Sequence, residues 1–294
     1  MYNLIKMDLY RLLKTKSTYV MVFVVMAMTM FTVWMTKMDI DMMKEDSQLS
    51  SEDEIGPTTE AIDVDGDSVA INIGIFSETK DEWTSEKIKF GDFVEVQLAS
   101  GIFTVIIAIF VSIFVHADVK KGFIKNIAGQ VQNKYMLIIS KIVGVGAQNL
   151  IMFLTLFVTM FVAGKICFGE QFVMGSALDL IKVAGGQYML HMAFSVLLLA
   201  LCILFNSSEL SMTLGILLAC RVGTLLYFGI NKLAQNVLDI KDFNMGKYAI
   251  ETNIYSFSGA MENEAMIKSM ILGVIYIVIS AVIASFIIQK RDVK

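Results

Sequence analysis

Residues that commonly carry metal binding are scarce in this sequence. The 294 residues include only two histidines and three cysteines. Cys167, Cys202 and Cys220 are scattered along the chain, without the spacing of metal ligands or of a disulfide framework. His191 has no neighbour at ligand spacing, so we interpret it as a buried or interface histidine. The sequence therefore predicts no metal site.

Motifs for nucleotide binding and hydrolysis are also missing. No G-x-x-x-x-G-K-[ST] sequence occurs, so we expect that the chain does not itself bind nucleotide phosphates. The H-E-x-x-H and G-x-S-x-G motifs are absent too. No basic patch interleaved with aromatic residues points to nucleic acid. We therefore expect no catalytic residue and no cofactor on this chain, and no enzyme activity of its own.

The composition favours a membrane protein. The chain is 56% hydrophobic, contains one proline, and has a mean hydropathy of +0.66. A water-soluble protein of this length could not bury so much apolar surface, whereas lipid accepts it. The apolar run that starts near Thr18 is too long for a cleavable signal and lacks a small-residue cleavage site. We interpret this run as a first membrane span.

The distribution of apolar runs predicts an all-α polytopic protein with six transmembrane helices. Positive charge is concentrated before the first span, in the loop after the second span and in the C-terminal tail. The positive-inside rule therefore predicts that both termini are cytoplasmic. We expect a multi-pass protein of the plasma membrane. The predicted spans are 17–36, 98–117, 135–163, 188–205, 210–230 and 267–289, with a tail at 290–294. The predicted extracytoplasmic segments are 37–97, 164–187 and 231–266.

The extracytoplasmic segments differ in character. Residues 37–97 carry 17 acidic side chains and five lysines, which predicts a small acidic insert, partly strand-like and partly loose. Residues 63–67 resemble a calcium loop but lack its terminal glutamate, so a solvated acidic loop is the better interpretation. Residues 173–183 could form a short interfacial helix. Residues 231–266 could form a re-entrant or cap segment over the outer mouth.

Two short amphipathic helices are predicted on the cytoplasmic side. In residues 1–16, Leu9 and Leu12 fall on an apolar side, while Arg11 falls on the other side together with Asp8. This pattern indicates a helix in the headgroup layer, and the alternative is a positive flank that only orients the first span. In residues 118–134, apolar residues recur every four positions and lysines occupy other faces. A tethered helix of this kind could dock a cytoplasmic partner, through residues that include Lys121, Phe123 and Ile127.

Polar residues within predicted spans are candidates for a pathway or an interface. Arg221 lies near the middle of its span, where a charge normally faces a partner or a water-filled cavity. The alternative is a structural pair, or a position nearer the surface than the predicted boundaries imply. Gln148 and Asn149 follow two glycines, a pattern that fits close helix packing or the lining of a translocation path.

Several features together resemble the membrane subunits of type-2 ABC exporters, the ABC-2 permease family. The local match is Asp118-Val-Lys-Lys-Gly122, followed by Lys134 and Lys141 seven residues apart. At these places the family has an acidic residue, usually Glu, then a glycine, and then Arg and Lys seven residues apart. A proline often precedes the Arg in the family, and this sequence lacks it. The C-terminal residues 286–293 are also similar to the family's ending. The resemblance extends over nearly the whole chain.

The resemblance implies a set of partners. A separate cytoplasmic ABC ATPase, which holds ATP and Mg, would dock on the coupling helix at 118–134 and on the N-terminal helix. A second permease subunit would complete the pathway, as a homodimer or a heterodimer within membrane lipid. The implied substrate is an amphipathic or antimicrobial peptide, of the bacteriocin, lantibiotic or phenol-soluble-modulin type. The resemblance implies contact with the ATPase at Asp118, Gly122 and Lys134.

Three other functions are alternatives. Small-molecule drug or sodium extrusion would use the same permease architecture. A secondary transporter without an ATPase would need intramembrane carboxylates or a repeated broken-helix architecture, and the sequence indicates neither. An intramembrane enzyme would need converging His, Glu or Ser side chains within the spans, which the sequence does not indicate.

Overall fold

The computed structural model describes residues 2–49, 61–64, 67–70, 83, 87–120, 134–238 and 244–290. Almost all of these residues are helical. The helices are α1 (Tyr2–Lys14), α2 (Lys16–Leu49), α3 (Phe90–Ala99), α4 (Ile102–Lys120), α5 (Tyr135–Phe168), α6 (Ala177–Phe205), α7 (Ser208–Ala219), α8 (Gly223–Leu238), α9 (Ile250–Ser256) and α10 (Asn263–Lys290). The short strands are β1 (Ala61–Val64), β2 (Asp67–Ala70), β3 (Ile88–Lys89) and β4 (Phe172–Val173).

Four of the described helices are long and apolar enough to cross a membrane on their own: α2, α5, α6 and α10. Two further pairs pass the same criteria only when their two helices are taken together. The α3–α4 pair is bent by 61° and the α7–α8 pair by 71°. The described chain therefore has four membrane-crossing helices, or six if each bent pair makes one crossing.

Helix α6 lies at the centre of the bundle. It packs against α10, α4, α5 and α7. In its most apolar 18-residue stretch 56% of the residues are buried, compared with 22% in the corresponding stretch of α10. Leu190, Phe194 and Leu198 recur every four residues and are fully buried. A helix that is apolar all round, as α6 is, belongs in such an interior. Helix α10 covers one side of α6 and turns most of its own surface outward.

The bundle has two distinct ends. At one end, which we call the α1 end, α1 packs beside the start of α5 and the last turns of α4. At the opposite end, the α9 end, helix α9 packs against α3 and the first turns of α6. The connection between α4 and α5 leaves and re-enters the described chain at the α1 end.

Helix α2 is longer than the predicted first span. The sequence predicted a span at 17–36 and an acidic insert from residue 37, but α2 continues to Leu49. The extension persists because apolar residues continue beyond the predicted end, and Ile40 among them is buried. Residues 50–60, 65–66, 71–82 and 84–86 of the insert lie outside the described residues. Its described part includes the antiparallel β1–β2 hairpin, which agrees with a partly strand-like segment.

The C-terminal part of the insert contacts the 164–187 segment at the α9 end. Strands β3 and β4 pair in parallel over two residues each, which brings Phe90 at the start of α3 to Phe172. Gly164 allows this approach, because a Cβ there would lie 2.5 Å from the Phe172 ring. The short helix predicted at 173–183 is instead the beginning of α6, which starts after the N-cap Ser176.

Two predicted continuous spans are broken in the structure. The span predicted at 98–117 begins with the last two residues of α3 and continues, after a bend at Ser100 and Gly101, as α4. The span predicted at 210–230 is α7 followed by α8, and Arg221 lies in the break with a left-handed φ of 59°. Hydropathy averaged along a span cannot report such breaks. Residues 231–266 contain the end of α8, a 3-10 turn at Met245–Tyr248, and α9.

Candidate functional site

Helix α1 is attached to the bundle through a buried ion pair. Asp8 is 3% exposed, and its carboxylate accepts hydrogen bonds from Lys141 Nζ at 2.8 Å and Ser140 Oγ at 2.5 Å. Leu12, one helical turn after Asp8, is buried on the same face of α1. We call Asp8, Ser140 and Lys141 the α1 clamp. The sequence analysis placed Asp8 on the polar side of α1, and the structure overturns that assignment.

The other residues of the predicted N-terminal helix surround the clamp. Leu12 is buried in the bundle core, while Leu9 is half-buried. Arg11 Nη2 lies 4.0 Å from Asp8 Oδ1, on the border of an ion pair. Burial lowers the pKa of Arg11, and the negative charge of Asp8 opposes that effect. The polypeptide turns from α1 into α2 where the Thr18 hydroxyl donates to the Leu12 carbonyl.

The predicted coupling segment lies mostly outside the described residues. Asp118 belongs to the last turn of α4, and Lys134 precedes α5 at its N-cap position. Both flanks of the segment are therefore at the α1 end. Lys121, Gly122, Phe123 and Ile127 are outside the described residues, so their predicted contacts with an ATPase stay predictions.

Gln148 and Asn149 face different surroundings on α5. Asn149 is fully buried, and its Nδ2 donates to Ser195 Oγ on α6 at 2.8 Å. Gln148 is 2% exposed and lines a small cavity at the turn between α1 and α2, beside Arg11. Asn149 therefore joins two helices, while Gln148 lies at the edge of the α1 attachment.

A buried polar network extends from Asn149 to His191. His191 is fully buried, with Nδ1 2.8 Å from the Gln187 carbonyl and Nε2 3.2 Å from Thr104 Oγ1. A carbonyl oxygen only accepts, so Nδ1 carries a proton and donates it to Gln187. The rings of Phe103 and Phe153 enclose the imidazole. These contacts make His191 a buried link between α4 and α6.

The two helix breaks meet at the α9 end of the bundle. Arg221 donates from Nη2 to the Ala99 carbonyl, the last of α3, at 3.2 Å. Its guanidinium lies 4.2 Å from the centre of the Tyr255 ring on α9. Tyr255 in turn donates its hydroxyl to the Ala219 carbonyl, the last of α7, at 2.5 Å. We call Ala99, Gly101, Ala219, Arg221 and Tyr255 the break junction.

The break junction satisfies carbonyl groups that a bent helix exposes. The end of a helix leaves carbonyls without an intrahelical partner, and an unsatisfied carbonyl inside a membrane is costly. Arg221 and Tyr255 donate to two of them, one in each break. Gly101 has φ of 84°, and a Cβ on it would lie 3.2 Å from the Ala219 carbonyl. The close approach of the two breaks therefore depends on glycine at this position.

A buried carboxylate lies beside the break junction. Glu251, on the first turn of α9, is 3% exposed and accepts a hydrogen bond from the Tyr227 hydroxyl on α8. Burial raises the pKa of Glu251, and the Tyr227 hydrogen bond opposes this shift. Gly223 permits the contact, because a Cβ there would lie 2.9 Å from Glu251 Oε1. Sequence analysis missed Glu251 because it lies outside every predicted span.

The structure brings the candidate residues together in two groups rather than one. Arg11 and Gln148 lie at the α1 end, near the clamp, while Arg221 lies at the α9 end, at the break junction. Among the described residues, no three His, Cys, Asp or Glu side chains are arranged to hold a metal ion.

No protein-family model matches the sequence, and no curated protein matches it. The class therefore follows from the fold alone. Its long apolar helices indicate a mostly helical, membrane-spanning protein.

Proposed function

We propose that the chain is the membrane permease subunit of an ATP-driven exporter of the ABC-2 type. In this proposal it moves amphipathic or antimicrobial peptides out of the cell, together with a second permease subunit and a separate ATPase. The observation that carries the proposal is the α1 clamp. An amphipathic helix that is ion-paired to the bundle beside the α4–α5 connection can transmit force from a partner that docks there.

Charge supports placing the α1 end in the cytoplasm. Basic residues lie on α1, at the start of α2 and at the start of α5, while the acidic 37–97 segment is attached to the other end of α2. Positive charge on one side is the usual signal of cytoplasmic orientation. In the proposal, an ATPase at this end contacts α1 and residues 118–134.

The proposed mechanism couples the two ends through α4 and α5. Asp8 holds α1 to α5, and Lys141 of the clamp also lies 5.1 Å from the ring centre of Phe114 near the end of α4. When the ATPases close, α1, α4 and α5 therefore move together. Helix α4 carries this movement to the break junction at its other end, where α3 and α7 can pivot about their bends and open the outer side.

The first experiment is co-purification with an ABC ATPase expressed beside the chain, followed by ATP hydrolysis in nanodiscs with and without amphipathic helical peptides. We expect a stable complex and peptide-stimulated hydrolysis. Phe123→Asp should lose the complex because a carboxylate spoils the apolar docking face, while Phe123→Leu should retain it. A Phe123→Asp complex with unaltered assembly and hydrolysis contradicts the coupling assignment.

A second candidate function is transport driven by an ion gradient without an ATPase. The observation that favours it is the pair of bent helices, because broken helices often surround the substrate and ion sites of secondary transporters. At the break junction, however, Arg221 and Tyr255 already occupy two of the exposed carbonyls. Transport into vesicles by the purified chain alone, driven by a proton or sodium gradient, would favour this candidate over the exporter.

A further inference from the structure

A cleft of about 540 Å³, with both polar and apolar lining surface, lies between α8, the Met245–Tyr248 turn and the start of α10. Thr224, Tyr227 and Asn231 line it from α8, and their spacing places them on one face of that helix. Leu226 and Leu233 lie on other faces of α8 and are 70% and 62% exposed. Helix α8 therefore turns polar residues toward the cleft and apolar residues away from the protein.

The amide side chains of the cleft hold its walls together. Asn253 donates to the carbonyls of Lys247 and Ala249, and accepts from the hydroxyl of Ser269 on α10. Asn231 on α8 accepts from the backbone N–H of Met245. These bonds join α8, the turn, α9 and α10, so the cleft has a framework built from side chains.

The charged groups that line the cleft are positive. Among the described lining residues, Lys247 and Lys268 are the charged ones, and none is a carboxylate. Glu264 pairs with Lys268 at 2.6 Å, but both side chains are more than 70% exposed, and an exposed ion pair contributes little energy. Glu251 lies behind Tyr227 and accepts a hydrogen bond from the Tyr227 hydroxyl. The cleft is therefore suited to a ligand with an anionic group.

An apolar stripe continues from the cleft along α10. Ile271 and Ile275 follow Lys268 by three and seven residues, so all three side chains share one face of the helix. The two isoleucines are 53% and 46% exposed. Since α10 is long and apolar enough to cross a membrane, this stripe faces acyl chains when the helix is in lipid. A cation at the edge of a cleft with an apolar stripe beyond it matches the shape of a phospholipid.

We propose that this cleft binds the phosphate-bearing headgroup of a phospholipid. Lys247 and Lys268 contact the phosphate oxygens, and an acyl chain lies along Ile271 and Ile275. A phosphodiester suits the site because its oxygens can accept from two ammonium groups at once. The volume also lies within the range of pockets that hold small ligands, about 300 to 1,000 Å³. This inference does not depend on the transported substrate or on an ATPase.

The test is native mass spectrometry of the purified full chain with added lipid. The probes are phosphatidylglycerol, diacylglycerol with the same acyl chains but no phosphate, and soluble glycerol phosphate. We expect retention of phosphatidylglycerol and much weaker retention of diacylglycerol. The double variant Lys247→Gln, Lys268→Gln should bind phosphatidylglycerol about tenfold or more weakly, because each lysine near an anionic headgroup contributes to attraction.

Two matched variants control for charge and folding. Lys182→Gln removes an exposed lysine of α6 at the same end of the bundle, outside the cleft, and should leave binding unchanged. Lys268→Arg keeps the positive charge and should retain binding even if the double variant folds poorly. Equal retention of phosphatidylglycerol by the double variant and the parent overturns the proposal. A second outcome also overturns the proposal: glycerol phosphate binds without displacing lipid, and diacylglycerol is retained as well as phosphatidylglycerol. That outcome would assign the cleft to a soluble phosphate.

Discussion

Asp8 and Lys141 form an ion pair across 133 residues of sequence, with Oδ1 and Nζ 2.8 Å apart. The side chains are 4% and 11% exposed, so neither charge is well hydrated. Removing one partner of a buried pair leaves the other charge uncompensated, which lowers the free energy of unfolding by about 3 to 5 kcal/mol. The attachment of α1 to α5 therefore requires both partners of the pair.

The first prediction concerns this ion pair. Asp8→Ala should lower the free energy of unfolding by about 3 to 5 kcal/mol, because Lys141 would remain buried without its counter-ion. Thermal unfolding in detergent measures the change. Lys141→Met in the same background should recover part of the loss, since it removes the uncompensated charge. Glu264→Gln breaks an exposed pair and serves as the control, with no measurable change expected.

The second prediction concerns Gly101 at the break junction. Gly101→Ala should destabilise the protein by about 1 kcal/mol or more, because φ is 84° and the new Cβ would press on the Ala219 carbonyl. Gly229→Ala is the matched control in α8, where no atom lies within 4 Å of the added Cβ. That variant should gain up to about 1 kcal/mol from helix propensity. Equal effects of the two variants on the unfolding midpoint would contradict the predicted strain.

Adjacent glycines in α6 allow a third prediction. A Cβ on Gly186 would lie 2.0 Å from the buried ring of Phe257, whereas a Cβ on Gly185 would meet no atom within 4 Å. Gly186→Ala should therefore destabilise the protein by about 1 to 3 kcal/mol, the usual effect of overpacking. Gly185→Ala should be neutral or slightly stabilising. Thermal unfolding of both variants in one detergent compares them directly, and reversal of their order would reject the contact between α6 and the chain after α9.

Some of the fold could be predicted because it follows from composition along the chain. Long apolar runs predicted helices near α2, α5, α6 and α10, and the structure has a long apolar helix in each place. The ends of these helices were less predictable. Helix α2 extends to Leu49, well past the charged residues that begin at Lys37. Charge in the sequence marks the end of an apolar run rather than the end of a helix.

The two bends were not predictable from hydropathy. Gly101 lies in an apolar run and gives no signal of a 61° bend, because one glycine is tolerated in many membrane helices. Arg221 did give a signal as a charge within an apolar run, but sequence alone left open whether it faced a cavity or a structural partner. Its contacts with Ala99 and Tyr255 depend on α3 and α9, which lie more than 30 residues away in sequence.

Asp8 shows why periodicity alone assigned the wrong face of α1. Its position relative to Arg11 and Lys14 placed it among polar residues, and no local pattern names a partner such as Lys141. One signal was present: Asp8 is the only acidic residue in the first 38 positions, among several basic ones. A solitary acid on a basic amphipathic helix is a candidate for a buried tertiary ion pair.

The fourth prediction concerns the pH dependence of stability at Glu251. Burial raises the pKa of Glu251 above that of an exposed glutamate. Between the ordinary and the raised pKa, the folded protein therefore binds more protons than the unfolded chain. The free energy of unfolding must then fall as pH rises through that window. The stabilising contribution is complete below the window and is lost above it.

Glu251→Gln tests this linkage, because glutamine does not ionise and its Oε1 can still accept from Tyr227. The variant should lack the fall in unfolding midpoint that the parent shows as pH rises from the ordinary glutamate pKa through the raised pKa of Glu251. It should also be more stable than the parent above the window, where the parent must keep a charged carboxylate buried. Glu262→Gln removes an exposed carboxylate before α10 and should leave the parent's pH dependence intact. If Glu251→Gln and the parent show the same slope, the ionisation of Glu251 is not linked to folding.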